Sequence, residues 1–319
     1  MHIVERFEDF RTSCPRAFEA RPVFTVGTFD GVHLGHQYLL NELSLWAKTA
    51  NAPAGVITFR EHPRTYMTGD EIKRITSLPQ KLKLFDAIGI DVCLVIDFDA
   101  VLKGTAALEF CQNWLRGALN ARGLLLGHNN RIGRGREGTP QAIAEFAPSL
   151  GFELRVADGV QVGGAPISSS AIREHIEKGD FPWARKMLGR PFSILRPVNR
   201  GNQIGRTLGF PTANISLDGL VHPPRGVYGV QVQYRGQSLL GAANIGVRPT
   251  IDKTSTHELL EVHLFDFSGD VYDQDLEVVF AFRVRDEVPF PGLEGLKAQL
   301  AKDCQEIRRR FESPWEEGA

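Results

Sequence analysis

The 319-residue sequence predicts two domains of different classes: an α/β domain with a parallel sheet, then a small antiparallel β-barrel. Length is the first basis, since a domain commonly holds about 150 residues. Strand-like runs alternate with helix-like runs from Arg21 to about Gly189, which is typical of a parallel sheet with helices on both faces. After Arg190 the runs become short and are separated by glycine and proline, which favours a barrel.

Hydrophobic periodicity predicts the elements of the first domain, because apolar residues mark the buried face of each element. The first strand is Pro22–Val26, and the helix after it carries an apolar face of Leu39, Leu43, Trp46 and Ala47. Further strands are predicted at Ala54–Phe59, Val92–Phe98, Gly123–Leu126 and Phe152–Val156. Further helices are predicted at Pro79–Gly89, Thr105–Leu119, Pro140–Leu150 and Ala171–Lys178.

The second domain is predicted from shorter runs, several of which alternate in polarity as half-buried strands do. These strands are Val227–Tyr234, Leu239–Ile245, Leu259–Phe265 and Leu276–Val284. A final helix has an apolar stripe of Leu293, Leu296, Leu300 and Ile307. The boundary is expected near Leu188–Phe192, which gives domains of residues 1–188 and 189–319.

Charge and cysteine content exclude several classes of protein. Lys and Arg number 37 against 38 Asp and Glu, so the net charge of −1 predicts neither a nucleic-acid partner nor an anionic membrane surface. No apolar run is long enough for a membrane span, and the N-terminus lacks the apolar region of a secretory signal. The 4 cysteines are scattered, which favours reduced thiols in the cytoplasm over a zinc site. Nothing in the sequence sets the oligomeric state.

The block Gly27–His36 reads G-T-F-D-G-V-H-L-G-H and joins a predicted strand to a predicted helix. Its glycines allow close approach of the backbone to a phosphate, and the helix N-terminus offers free N–H groups. His33 and His36 are three residues apart, so both side chains are expected at one point, where they would stabilise charge on a phosphate. Metal binding by the two histidines, or a plain tight turn, are the alternatives.

This block resembles the signature of the nucleotidyltransferase superfamily whose members carry an HxGH motif. The resemblance implies catalytic roles for His33 and His36, and ATP contacts by Gly27, Thr28, Phe29, Asp30 and Gly35. Residues 58–63 resemble the superfamily's TFxPHP segment, with Glu61 in place of a proline, and imply a flavin-side role for His62. Residues 167–173 resemble its ISSTxIR motif. That motif implies that the ATP phosphates are held by Ser168, Ser169 and Arg173, although serines before a helix also serve as N-caps.

A second block, Gly201–Asn214, reads G-N-Q-I-G-R-T-L-G-F-P-T-A-N and lacks the spacing of a Walker A loop. Thr212 and Asn214 are two residues apart and therefore lie on one side of an extended segment. A hydroxyl and an amide oxygen there suit a Mg²⁺ ion that also holds ATP phosphates, whereas a simple turn is the alternative. The expected ATP and Mg²⁺ residues are Gly205, Gly209, Pro211, Thr212 and Asn214.

The segments that follow, G-V-Y at 226–228, N-I-G-V-R-P-T at 244–250 and L-E-V-H-L-F-D-F at 260–267, resemble the riboflavin kinase domain. The resemblance implies a six-stranded barrel, Mg²⁺–ATP held by Thr212 and Asn214, and Glu261 as the catalytic base. Both blocks stand in the order of the bacterial bifunctional riboflavin kinase/FMN adenylyltransferases. That family phosphorylates riboflavin to FMN with ATP and then adenylylates FMN to FAD.

One loop departs from the family pattern. Where the family has GxDFxFGxxxxG, residues 127–138 read G-H-N-N-R-I-G-R-G-R-E-G, so Asn129 replaces the usual aspartate and Asn130 and Ile132 replace phenylalanines. A flavin-side role is expected for Asn129, since an amide still accepts hydrogen bonds. The three arginines of this loop suggest either a solvated loop or a phosphate clamp. Two alternatives therefore stay open: a riboflavin kinase with a weak first domain, and a flavin- or nucleotide-binding regulator.

Overall fold

The structure is a computed structural model that describes residues 1–200, 209–248, 257–288, 290 and 292–312. It divides into two compact units, one of residues 1–72 with 81–168 and one of residues 73–80 with 169–319. The first contains a six-stranded parallel sheet and the second a six-stranded antiparallel sheet, which confirms the predicted fold classes.

The first unit is built on a sheet with strand order β1-β4-β3-β2-β5-β6, all parallel. The strands are β1 (His2–Val4), β2 (Val23–Val26), β3 (Ala54–Phe59), β4 (Val92–Ile96), β5 (Gly123–Gly127) and β6 (Glu153–Ala157). A small hairpin of β7 (Gln161–Val162) and β8 (Ala165–Pro166) follows. The order reverses between β2 and β5, and in such sheets ligands bind at the carboxyl ends of the strands beside this reversal.

The helices of this unit are α1 (Phe10–Ser13), α2 (Pro15–Glu19), α3 (Leu34–Thr49), α4 (Pro63–Thr68), α5 (Leu78–Ile88, here from Lys81 onward), α6 (Ala100–Gly104), α7 (Ala107–Glu109) and α8 (Pro140–Phe146). The predicted helix Thr105–Leu119 is present as one helical run, but it begins at Ala107 and changes type at Phe110. The Glu109 carboxylate accepts from the Ala106 N–H at 3.0 Å and caps α7 there, two residues later than expected. The chain then widens into a π-helix, Phe110–Ala118.

Two strand glycines make room for large aromatic rings in this unit. A Cβ on Gly55 would lie 2.1 Å from the Phe24 ring, and one on Gly123 would lie 2.2 Å from the Trp46 ring and 2.8 Å from the Glu153 carbonyl oxygen. Close packing of this kind leaves no space for a methyl group. The helix α3 is therefore held against β5 at the residue where Trp46 meets Gly123.

The second unit is an antiparallel barrel with strand order β10-β13-β12-β11-β14-β9. Its strands are β9 (Ser193–Pro197), β10 (Ala213–Ser216), β11 (Gly226–Tyr234), β12 (Gln237–Arg248), β13 (His257–Leu264) and β14 (Asp275–Arg285). Just beyond β9, Asn199 pairs with Asn214 of β10, which brings the two edges together and nearly closes the barrel. The sequence did not predict β9 or β10.

Aromatic rings fill one end of the barrel. Tyr228 and Phe280 meet edge to face at 5.5 Å, and Phe192 stacks on Phe280 at 5.6 Å. Phe181 adds a third contact at 5.7 Å, and it comes from α10 (Phe181–Leu188), which follows α9 (Ser169–Glu177). The two helices therefore belong to the barrel unit.

The C-terminal helix, which we number α11 (Leu293–Glu312), packs on the outer face of the barrel. Ile307 is fully buried against Val227 and Phe265, as the predicted stripe requires. Leu293 is 60% exposed, so its predicted place in the stripe is wrong. The reason is position along the helix: the buried apolar contacts come from its C-terminal half, whereas Leu296 and Leu300 line a cavity.

Within the described residues, no helix has both the length and the hydrophobicity that a bilayer span requires. All four cysteines are free thiols, and burial raises the pKa of Cys93 and of Cys111 to about 12. Thiols with so high a pKa stay protonated at neutral pH and are poor nucleophiles.

The Gly123→Ala substitution is expected to destabilise the first unit by about 1–3 kcal/mol, because the methyl group overlaps the Trp46 ring and a backbone oxygen. Gly104→Ala is the matched control, since its Cβ meets no atom within 4 Å. Its effect should stay within about 0.5 kcal/mol. Calorimetric melting of the two variants measures the difference, and equal melting temperatures would contradict this packing.

Candidate active sites

The turn after β2 is the centre of the first site. Gly27 donates to the Ile57 carbonyl at 3.1 Å, and the backbone then turns through positive φ at Phe29 (48°), Gly31 (82°) and Val32 (39°). A β-branched residue such as valine rarely adopts this region, so the turn is strained. Strain at such a position is characteristic of backbone that is held for function.

His33 caps α3 and fixes its own tautomer. The His36 backbone N–H donates to His33 Nδ1 at 3.3 Å, and the His33 side chain is 6% exposed. Because Nδ1 accepts, the neutral ring carries its proton on Nε2. The two imidazole rings are stacked with centroids 3.6 Å apart, which confirms that the pair meets at one point.

His36 is held neutral by its surroundings. Burial lowers its pKa well below the ordinary value of 6.5, and the nearby His33 and Lys81 lower it further. Among the described residues, no atom is a hydrogen-bond partner of the buried His36 Nδ1. Phe29 packs edge-on against the ring at 5.3 Å. A neutral imidazole here can donate from one nitrogen without bringing a charge that must be desolvated.

A lysine that the sequence reasoning did not select lies beside this turn. Lys81 is 8% exposed, and its Nζ donates to the Thr28 carbonyl at 3.1 Å, to Thr58 Oγ1 at 3.0 Å and to the Phe59 carbonyl at 3.3 Å. The ammonium therefore joins the carboxyl ends of β2 and β3. The available signal was helical spacing, because Lys81 precedes the buried Phe85 by one turn.

The loop of residues 127–138 is packed against α7 and is not a freely solvated loop. A Cβ on Gly133 would lie 2.5 Å from the Ala107 nitrogen, and one on Gly138 would lie 2.6 Å from the Ala107 Cβ. The Arg134 N–H donates to the Thr105 carbonyl at 2.8 Å. Close approach of backbone to backbone therefore explains these two glycines.

Asn130 connects this loop to the end of β2, just before the turn that leads to His33 and His36. Its Nδ2 donates to the carbonyl of Val26, the last residue of β2, at 2.9 Å. The predicted Asn129 lies next to it on an exposed turn. Arg131, Arg134 and Arg136 are also exposed, so the loop presents a basic surface to solvent.

The remaining predicted residues of the first site fall in several places. His62 caps α4, because its Nδ1 accepts from the Arg64 N–H at 3.1 Å. Ser168 ends the first unit, whereas Ser169 and Arg173 belong to α9 of the second unit. Arg173 donates to the Lys73 carbonyl at 2.8 Å within that unit. The approach of these three residues to ATP stays a prediction.

The second site is a row of side chains across the outer face of the barrel. Glu261 on β13 pairs directly with Asn214 on β10 and with Asn244 on β12. Val227 and then Arg285 continue the row through β11 and β14. Residues paired in register project to the same face, so Glu261 lies between two amides. Asn244 was quoted in a motif but not selected as a site residue.

This row lines a cavity of about 340 Å³ between the barrel and α11. Thr212, Glu261 and His263 contribute to its wall, and Leu296 and Leu300 of α11 close it. A second cavity of about 420 Å³ shares Thr212 and extends towards Tyr272. Thr212 therefore stands at the border of two cavities, where one ligand could meet another.

Hydrogen bonds hold the predicted Mg²⁺ residues in place. Asn214 is 6% exposed and its Nδ2 is 3.4 Å from the Thr212 carbonyl, so its Oδ1 is the atom left to accept or to ligate. His263 Nδ1 lies 2.9 Å from the Pro211 carbonyl, to which it donates. Gly209 has φ of 86°, which favours glycine, and Gly205 lies outside the described residues.

An ion pair fixes α11 at the edge of the first cavity. Arg285 donates from Nε and Nη2 to the Asp303 carboxylate at 2.7–3.1 Å, and Gln299 Nε2 donates to the same carboxylate at 2.8 Å. Asp303 is 3% exposed, so the pair is largely shielded from water. Sequence reasoning missed it because the partners are 18 residues apart on different elements.

The site fits a Mg²⁺ ion held jointly with a nucleotide. Among the described residues, no group of three or more His, Cys, Asp or Glu side chains could hold a metal by itself. Magnesium commonly takes only one or two protein ligands and completes its shell with phosphates and water. The Thr212 hydroxyl and Asn214 Oδ1 are hard oxygen donors of the required kind.

Two family profiles match different parts of the chain. A family profile described as FAD synthetase matches residues 16–171, and one described as riboflavin kinase matches residues 188–311. A crystal structure described as a macrolide-efflux protein from Streptococcus pneumoniae matches with a TM-score of 0.81 at 28% identity, covering 97% of this chain and 99% of that one. That description differs from those of the curated relatives, on which the family assignment rests.

The curated relatives are bifunctional riboflavin kinase/FMN adenylyltransferases. The Haemophilus influenzae protein is 38% identical over 91% of this chain and 94% of its own length. The Escherichia coli K12 protein is 37% identical over 91% and 92%, and the Bacillus subtilis protein is 32% identical over 92% and 93%. With both profiles in this order and such relatives along nearly its whole length, the chain belongs to the family of bifunctional riboflavin kinase/FMN adenylyltransferases.

Proposed function

We propose that this chain converts riboflavin to FMN and then FMN to FAD, using ATP in both steps. Residues 1–188 carry the adenylyl transfer and residues 189–319 carry the phosphorylation. The observation that supports this best is the presence of two separate candidate sites. One is the turn after β2 with its histidine pair, and the other is the row around Glu261 with the neighbouring Thr212 in the barrel. Each site has the residue types that its own reaction requires.

The adenylyl transfer needs charge stabilisation more than it needs a base. The attacking group is the FMN phosphate, which is largely ionised at neutral pH because a phosphate monoester has a second pKa of about 6. Its oxygen attacks the α-phosphorus of ATP, and pyrophosphate leaves. The N–H donors of His33 and His36 stabilise the charge that develops, and the turn Gly27–Asp30 receives the phosphates. Ser168, Ser169 and Arg173 hold the β- and γ-phosphates, while His62 and Asn129 face the flavin.

The phosphorylation has the opposite requirement, since its nucleophile is a neutral ribityl hydroxyl. Glu261 accepts the proton of that hydroxyl as its oxygen attacks the γ-phosphorus of ATP and ADP leaves. Thr212 and Asn214 hold Mg²⁺, which neutralises phosphate charge when bound. Asn214 and Asn244 flank Glu261 and orient its carboxylate. Gly209 and Pro211 shape the approach to Thr212.

Two other functions can be compared with the bifunctional enzyme. A riboflavin kinase with a weak first domain is suggested by the altered loop 127–138, whereas the stacked His33–His36 pair with its neutral His36 favours an active one. A regulator without catalysis would not need Glu261 between two amides beside a cavity.

Product analysis separates the three functions. Purified protein incubated with riboflavin, ATP and Mg²⁺ is expected to form FMN first and FAD later, because the adenylyl transfer uses the FMN that the phosphorylation produces. Chromatography with flavin fluorescence resolves the two products. FMN alone would identify a monofunctional kinase, and no product would identify a regulator; either result contradicts the proposal.

Single substitutions are expected to separate the activities. His36→Ala should abolish FAD formation and leave FMN formation unchanged, since the histidine contributes only to the first unit's site. Glu261→Gln should lower FMN formation by about 10²-fold or more, because the amide cannot accept a proton, while FAD still forms from supplied FMN. Each activity is the folding control for the other variant. Loss of both activities in a folded variant would refute the two-site assignment.

The lowered pKa of His36 predicts a pH-dependent stability. Below pH 6.5 the unfolded chain protonates this histidine whereas the folded chain does not, so stability falls with decreasing pH until the lower folded pKa is reached. The slope is at most about 1.4 kcal/mol per pH unit. His36→Gln should show a shallower loss of melting temperature between pH 7.5 and 5.5 than wild type. His128→Gln, at an exposed site, is the control and should follow wild type.

A further inference from the structure

Lys81 makes a set of contacts that packing alone does not require. Its side chain is 8% exposed, and its Nζ contacts three oxygens, which belong to Thr28, Thr58 and Phe59. Removing an ammonium from water is unfavourable, and hydrogen bonds to neutral oxygens compensate for it only in part. A methionine would fill a similar volume without that cost.

The bond from Lys81 to the Thr28 carbonyl fixes the orientation of the Thr28–Phe29 peptide in the turn after β2. A trans peptide is planar, and its N–H points away from its carbonyl. With the Thr28 carbonyl directed at Lys81, the Phe29 N–H is directed to the opposite side. The neighbouring strand shows the same arrangement, because the Phe59 carbonyl accepts from Lys81 and the Arg60 N–H donates away from it to Ile96 at 3.0 Å.

Thr58 adds a second hydrogen bond to the Thr28 carbonyl that Lys81 already contacts. Its hydroxyl donates to the Thr28 carbonyl at 3.3 Å and accepts from Lys81 at 3.0 Å, so one carbonyl is held from two sides. Thr58 is fully buried, which excludes water from these bonds. The carboxyl ends of β2 and β3 are thereby held at a fixed spacing next to the histidine pair.

We propose that Lys81 is a positioning residue for adenylyl transfer, which aims the Thr28–Phe29 peptide at the transferring phosphate and places its ammonium group close to the histidine pair. It acts through the turn and touches neither substrate. The proposal rests on the FMN adenylyltransferase activity of this chain, so FAD formation by wild type is measured first. Absence of that activity would refute the proposed function and not the role of Lys81.

The charge of Lys81 also bears on the histidines. The groups that influence the His36 ring are His33, which caps its own helix, and Lys81 from α5, with the buried Asp30 carboxyl in the intervening turn. Both named neighbours lower the His36 pKa, after burial itself. The Lys81 ammonium therefore favours the neutral form of the His36 ring.

The test compares Lys81→Met with Thr58→Val in the full-length enzyme. Lys81→Met should lower kcat for FAD formation by roughly 10²-fold with little change in KM for ATP or FMN, because alignment rather than ground-state binding is lost. The acid limb of its pH profile should move to higher pH, since a charge that lowers the His36 pKa is removed. Thr58→Val removes one anchor and keeps the charge, so kcat should fall less and the acid limb should stay in place.

Two further measurements distinguish positioning from a structural role. Calorimetric titration with ATP counts the nucleotide sites of both units, and FMN formation by the same preparation accounts for the site of the barrel unit. The proposal fails if Lys81→Met keeps the wild-type kcat and pH profile, or if its loss of activity only matches a loss of titratable sites. If Lys81→Met does not fold, Thr58→Val decides: a wild-type kcat in that variant overturns the proposal.

Discussion

Burial of the strands determines where each half of this chain can place reactive groups. A strand that is buried on both faces has no side chain free to react, whereas a strand with one buried face does. In the parallel sheet, the central strand β2 is buried at all four positions, so none of its side chains is available to a substrate. Function there moves to the turns beyond the strands, where backbone N–H groups and His33 emerge. In the barrel, successive residues of a strand alternate between the interior and the outer face, so Glu261 lies in the middle of β13 and still borders a cavity.

This difference explains how much of each site could be predicted. A turn beyond a strand is contiguous, so the block Gly27–His36 could be selected as a unit, and the structure confirms that its histidines meet. A barrel site depends on register, which sets Asn244 beside Glu261 although they are 17 positions apart in the sequence. Most of the strands, although not β1, β9 and β10, were predictable from apolar runs. Their pairing partners were not, because local propensity carries no information about register.

Residues that act through other residues were the hardest to predict. Lys81 and Asn130 both hold backbone carbonyls at the end of β2 or just beyond it, one from α5 and one from the loop after β5. Lys81 belongs to no motif and Asn130 departs from the family's residue at its position, since any donor of suitable length could reach a carbonyl. Arg285 and Asp303 are of the same kind, because an ion pair between a strand and a helix leaves no periodic trace. Leu293 is an error in the opposite direction. It continues the apolar stripe of α11 in the sequence, but it is exposed and, among the described residues, has no buried surface to pack against.

The altered loop can be understood from the interaction that replaces its aromatic residues. Asn130 stands where the family has a phenylalanine, and its amide bonds to the Val26 carbonyl at 2.9 Å, next to the turn that receives ATP. Gly133 and Gly138 fix the far side of the loop against Ala107. A loop anchored at both ends keeps its place without apolar packing of that side chain. If this loop lines the flavin side of the site, as proposed, changes in it should alter FMN affinity before they alter catalysis.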